Sequence, residues 1–184
     1  MGKVVAGMTV SLDGFVNDRN GRVEKLYPDL AALRETEMLQ EEIRNTGAVV
    51  MGRHAYDLAD PDTFADSYEF QTPIFVLTHR IPAKHPKEND RLTVTFVSDG
   101  VRSAIAKAKA AAGDKDVLII GSPDTLRQCL RAGLVDELQV GIAPVLLGGG
   151  LRPFDGLDMA ELGLEQVRVL ESDGRVDIKY RVVK

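Results

Sequence analysis

Short runs of β-branched and other apolar residues alternate along the chain with stretches that repeat apolar positions at helical spacing. The first run, Lys3 to Val10, predicts a strand, followed by a loop through Ser11-Leu12-Asp13-Gly14 to about Pro28. Residues 29 to 46 put Ala32, Leu39 and Ile43 near one face and then meet Gly47, which predicts a helix with a glycine stop. Ala48 to Met51, Ile74 to Thr78, Leu92 to Val97, Val117 to Ile120 and Leu138 to Val145 predict five further strands. Val117 to Ile120 is wholly apolar, so both of its faces are expected to be covered. Ser98-Asp99 stands where it would cap an Ala-rich helix ending near Gly113, and Pro123 opens a second helix that runs to Ala132 before Gly133. The tail, Glu165 to Val183, alternates about Asp173-Gly174, an antiparallel hairpin signal. The pattern predicts an α/β fold: a mostly parallel central sheet flanked by helices, with an antiparallel C-terminal hairpin.

Composition narrows the function classes. The 184 residues suit one domain, and no repeat or linker divides them. A formal charge of −5 argues against a duplex-binding surface, which needs a net or clustered basic face, so no nucleic-acid partner is expected. No run approaches the roughly 18 apolar residues of a membrane span. The single cysteine, Cys129, forms no intrachain disulfide, and there is no signal-peptide pattern; a cytoplasmic protein is expected. His54, His79 and His85 lack metal-ligand spacing, so no metal is expected. Neither G-x-S-x-G nor G-x-x-x-x-G-K-[ST] occurs.

Four stretches carry candidate chemistry. In Ile119-Ile120-Gly121-Ser122-Pro123-Asp124-Thr125-Leu126 a buried strand turns through small residues into a helix start, whose free N–H groups and dipole favour an anion. Gly121 would let the backbone approach a pyrophosphate, with Ser122 and Thr125 as hydroxyl donors; an ordinary capped turn is the alternative. Met51-Gly52-Arg53-His54 puts a planar guanidinium at the carboxyl end of a strand, where open α/β sheets gather ligands. Leu77-Thr78-His79-Arg80 repeats that logic. Brought together, Arg53, Thr78, His79 and Arg80 would form a basic pocket for the 2′-phosphate that separates NADP from NAD. Ser11-Leu12-Asp13-Gly14 is either a turn or a loop covering a ligand.

With S-L-D-G at 11–14, V-V-M-G-R-H at 49–54, L-T-H-R at 77–80 and I-G-S-P-D-T-L at 120–126, the chain resembles the dihydrofolate-reductase-like superfamily over nearly its full length. The run L-R-A-G-L-V-D-E-L at 130–138, followed by A-P-V-L-L-G-G-G at 143–150, is similar to the reductase domain of riboflavin-biosynthesis deaminase-reductases and their stand-alone relatives. The resemblance implies an NADPH-dependent reductase, as a homodimer, with its cofactor across the carboxyl edge of the sheet. Gly52, Arg53, Thr78, His79 and Arg80 would surround the adenosine phosphate, and Gly121, Ser122, Asp124 and Thr125 would face the pyrophosphate. Ser11, Asp13, Gly14, Gly148 and Gly149 would border the substrate.

The implied reaction is hydride transfer from NADPH to a C=N or C=O group of a small heterocycle, foremost 5-amino-6-(5-phosphoribosylamino)uracil. Reduction of dihydrofolate or another pteridine is the second reading, and a non-catalytic NADP-binding dimer acting as a sensor the third. For the proton, Asp13 is the first candidate, as a carboxylate whose pKa partial burial could raise. Folate reductases hold a buried acid in the first helix; Asp29 is the nearest match, 22 positions before Met51. Ala55 stands where riboflavin-type reductases often carry threonine. The deaminase signature, H-x-E with P-C-x-x-C, is absent, which excludes that activity from this sequence. The tail hairpin and Leu138 to Val145 are expected to offer edges for dimerisation.

Overall fold

Eight strands form one sheet in the order β4-β3-β2-β5-β1-β6-β8-β7. They are β1 (Val4–Ser11), β2 (Thr46–Gly52), β3 (Ile74–Leu77), β4 (Val94–Val97), β5 (Asp116–Ile120), β6 (Glu137–Ala143), β7 (Gly163–Ser172) and β8 (Arg175–Val183). Pairing from β4 to β6 is parallel; β8 runs antiparallel to β6, and β7 to β8. This computed structural model describes residues 2–28, 30–158, 162–172 and 174–183. The mostly parallel α/β sheet with its antiparallel hairpin matches the architecture expected from the sequence.

The helices are α1 (Leu30–Arg34), α2 (Glu37–Asn45), α3 (Arg53–Leu58), α4 (Phe64–Ser67), α5 (Val101–Ala112) and α6 (Pro123–Arg131). On one face α5 and α6 lay Ala104, Ile105, Ala108, Leu126, Cys129 and Leu130 on Val4, Ala6, Val50, Val117 and Ile119. The other face sets Val5, Val49, Met51, Ile74, Val76 and Leu118 against Tyr56, Phe64 and Phe70, with Leu39 and Ile43 of α2 beside them. Strand residues of alternating parity serve the two cores, so the central strands read as continuous apolar runs.

Several expectations are corrected. The single helix over 29–46 is two helices, because Thr36 turns extended and its Oγ1 accepts from the Leu39 N–H to cap α2 afresh. Gly47 is no helix stop. It lies in β2, where a Cβ would come within 2.7 Å of Lys115 Cβ and 2.8 Å of the Ala112 carbonyl. The cap of α5 is Gly100 at φ 95°, while the Asp99 carboxylate accepts from Ser103 Oγ. Leu92 precedes its strand, held by its N–H to Asn89 Oδ1. The strand expected over Leu138 to Val145 is no edge: β6 pairs with β1 and β8, and the edges are β4 and β7. Asp29 and Asp173, singled out above, lie outside the described residues.

Candidate active site

The parallel strands end side by side: Gly52 pairs with Leu77, Leu77 with Val97, and Met51 with Ile120. The residues that follow therefore share one rim. A cleft of about 550 Å³ opens there, lined by Gly52, Arg53, Thr78, His79, Arg80, Ser122, Asp124 and Thr125 among others. Eight of the nine candidate cofactor residues thus meet in one cleft, drawn from three strand ends and the start of α6. Gly121, the ninth, borders the adjoining hollow with Ser122.

Backbone proximity explains the small residues of this rim. A Cβ on Gly52 would sit 2.7 Å from Thr125 Oγ1, and one on Gly121 2.4 Å from Ala55 Cβ. Gly121 also adopts φ 92°, which side-chain-bearing residues rarely take. Ser122 caps α6 by accepting from the Asp124 N–H at 3.3 Å, and Asp124 Oδ2 accepts from Gln128 Nε2. Arg53 is not a free fork. Its Nε reaches the Asp57 carboxylate at 2.7 and 2.8 Å, and Nη1 donates to the Arg80 carbonyl. Both partners of the Arg53–Asp57 pair are solvent-accessible, and an exposed i,i+4 pair is worth only about 0.3–0.5 kcal/mol, so an incoming phosphate can displace it. Thr78 Oγ1 donates to the Arg80 carbonyl and fixes the turn that carries His79 and Arg80. Basic side chains, a helix start and glycines that clear the backbone form a donor set that fits a phosphorylated dinucleotide.

The hollow at Gly121 is bordered by Ala6, Gly7, Met8, Val16 and Ile120. Gly7, Met8 and Ile120 in turn line a cavity of about 240 Å³ on the α2 side of the sheet. Cleft and hollow share Ser122 in their linings, and hollow and cavity share Gly7, Met8 and Ile120, so the three neighbour one another along the ends of β1 and β5. Tyr27, Leu30, Leu39, Phe70 and Leu118 give the cavity its apolar walls, and Thr9, Glu42, Gln139, Arg175 and Asp177 its polar ones.

Glu42 is the residue that sequence reasoning missed. It rides α2 one position before Ile43 and three after Leu39, inside the helix's apolar stripe. Some of the side chain lines the cavity, while Oε1 is sealed from solvent and has no hydrogen-bond partner among the described residues. That oxygen lies over the first strand, 3.3 Å from where a Cβ on Gly7 would stand. Burial pushes the carboxyl up to about 7; Asp177 adds to the rise, and Lys179 and Arg175 oppose it. In the sequence the one trace of it is a carboxylate set within an apolar helical stripe, which by itself names no site.

Asp13 behaves in the opposite way. Ser11 Oγ donates to it at 2.6 Å, and the N–H groups of Leu147 and Gly148 donate at 3.1 and 2.7 Å. These donors, Ser11 first, lower its pKa to about 2, so the expectation of a burial-raised acid is corrected. Asp13 is ionised at neutral pH and ties the first loop to the glycine-rich loop after β6. Arg19 reinforces that tie by donating to the Gly148 carbonyl, and packs where a Cβ on Gly149 would stand, its Nε 2.4 Å away. Ser11, Asp13, Gly14, Gly148 and Gly149 form one loop cluster at the ends of β1 and β6, whereas none of them lines the Glu42 cavity. Among the described residues no cluster of His, Cys, Asp or Glu is arranged to hold a metal ion, and no helix is long and apolar enough to cross a membrane.

Residues 2–177 match the model of the RibD C-terminal domain. The chain belongs to that family. The Bacillus subtilis uncharacterized protein YyaP is 27% identical over 193 residues, covering 97% of this chain and 94% of the relative. A solved Shewanella structure assigned to riboflavin biosynthesis superposes with a TM-score of 0.79 at 22% identity and covers 99% of each chain. A dihydrofolate reductase of Enterococcus faecalis, in complex with NADP(H) and RAB-propyl, superposes at 0.66 with 15% identity, covering 99% of this chain and 97% of that one. The fold is accordingly dihydrofolate-reductase-like.

Proposed function

We propose that this chain is an NADPH-dependent reductase of a small nitrogen heterocycle of the pyrimidine type, akin to the aminouracil reduced in riboflavin synthesis. The observation that carries the reading is that the hollow beside the rim cleft borders the Glu42 cavity along Gly7, Met8 and Ile120, with Ser122 shared by cleft and hollow. NADP(H) is the ligand of the folate reductase that shares the fold, which supports the cofactor assignment. Arg53 and Arg80 would hold the adenosine phosphate, and the start of α6 with Gly121 the pyrophosphate.

When bound, the nicotinamide supplies a hydride. Glu42 supplies the other half of the reduction: a proton from its carboxyl, delivered to the nitrogen as a C=N bond becomes CH–NH, with the carboxylate then reprotonated by way of the cavity. A carboxyl with a pKa of about 7 keeps that proton available near neutral pH. Tyr27, Leu39, Phe70 and Leu118 exclude water around it. Glu42 also favours a second reading, pteridine reduction, because a sealed acid over the first strand suits a ring nitrogen of that substrate equally. The sensor reading loses its main motive, the want of a proton donor.

The cofactor half is tested by titration calorimetry with NADPH and NADH. NADPH is expected to bind about ten-fold or more tightly, with Arg53→Ala removing most of the difference, as for a charge-assisted phosphate contact. Equal affinities would count against the assignment. We further propose a homodimer, supported by a partly exposed apolar face of β6, β8 and β7 among the described residues.

A further inference from the structure

We propose that the Glu42 cavity takes an uncharged heterocycle whose substituent carries no phosphate or carboxylate; the inference rests on reading this cavity as the substrate site. Tyr27, Leu33, Thr36 and Arg175 line both this cavity and a second, smaller hollow of about 110 Å³, bounded also by Leu26, Pro28, Ala32, Ala143 and Pro144. A ring in the inner lobe would direct its substituent into this outer one. The outer lobe is apolar, with Arg175 as its cation among the described lining residues.

That cation is committed. Its Nε lies 3.1 Å from both Asp177 oxygens, and Nη2 reaches Asp177 Oδ1 and Thr9 Oγ1 at 2.9 Å each. The guanidinium lies directly over Gly141, whose missing Cβ leaves the room. Side-chain exposures of 16% for Arg175 and 4% for Asp177 mark the pair as buried. A phosphate could engage Arg175 only by drawing it from Asp177 and leaving a buried carboxylate unpaired, a costly exchange. Glu69 on the inner wall is likewise matched, with Arg34 at 3.7 Å. Lys179, whose charge reaches Glu42, does not line either lobe. The remaining acidic wall is the buried carboxyl of Glu42, which accommodates a neutral ring more readily than an anion.

Titration calorimetry on the NADP+-loaded protein decides this with two probes, 5-amino-6-(ribosylamino)uracil and its 5′-phosphate. The unphosphorylated compound is expected to bind, and the phosphate ester about ten-fold or more weakly, the scale of a disrupted buried pair. Asp177→Asn, which frees Arg175 while keeping its neighbour's shape, should narrow or reverse the gap. Tighter binding of the phosphate ester by the wild-type protein overturns the proposal, as does binding of neither probe. If Asp177→Asn fails to fold, the wild-type comparison stands alone. Failure of NADP+ itself to bind would instead strike the reductase reading, and the two uracils compared on the cofactor-free protein would still decide the cavity's preference.

Discussion

Glu42 and Asp13 are two carboxylates near the same strand, and their surroundings drive them apart. Three donors hold Asp13 ionised, whereas the sealed Oε1 of Glu42 has none. The folded-state pKa of Glu42, about 7, lies above its ordinary 4.5. Between those values the folded chain binds a proton that the unfolded chain has released, so this group's contribution falls as pH rises through the interval. The penalty is absent below pH 4.5 and complete above 7, reaching at most about 3 kcal/mol. Glu42→Gln should therefore raise the melting temperature at pH 8 and leave it nearly unchanged at pH 4.5. A pH-independent effect would contradict the assignment. The same variant should keep NADPH affinity while losing about 100-fold or more in kcat, the usual worth of a positioned proton donor.

At the level of elements, the junction of β5 and α6 carries the cofactor half of the account. Gly121→Ala forces a side chain into a φ of 92° and against Ala55, so it should cost about 1–3 kcal/mol in stability and weaken NADPH binding. Thermal unfolding and titration read both; an unchanged Tm would show that the turn relaxes freely. Junctions of this type were legible in the sequence, because apolar runs ending in Gly52, Thr78 and Gly121 announce strand ends that a parallel sheet must gather. The helices before β2 were less so. A period of apolar positions continues across Thr36, and only its hydroxyl cap shows that the chain breaks there. Gly47 misled for a related reason: glycine ends helices by its torsion freedom, but here it serves the close packing of β2 on Lys115 and Ala112. Glu42 escaped notice because a lone carboxylate in a helical stripe has no spacing partner; its meaning comes from Gly7, 35 positions away in sequence and adjacent in space.

Across the whole molecule, helices cover the sheet from β4 to β1 on both faces, and α2 reaches β7 through Arg168, which binds Glu37 and Glu41. The opposite face of β6-β8-β7 differs. Register places Val140 and Ile142 beside Ile178 and Val176, with Val169 of β7 next in line. Val169 is 42% exposed, and the other four are half-buried, an apolar surface of the kind that subunit interfaces cover. A second copy seated there would make the homodimer. Val169→Asp with Ile178→Asp should then yield a monomer by light scattering, and a wild-type monomer at micromolar concentration would reject the interface.

A crystal structure with bound NADP+ would show whether the rim cleft and the Glu42 cavity serve one dinucleotide. The adenosine phosphate is expected between Arg53 and Arg80, the pyrophosphate at Gly121 and Ser122, and the nicotinamide over Gly7 and Met8 beside Glu42. A dinucleotide bound elsewhere, or one whose nicotinamide turns away from the cavity, would contradict it.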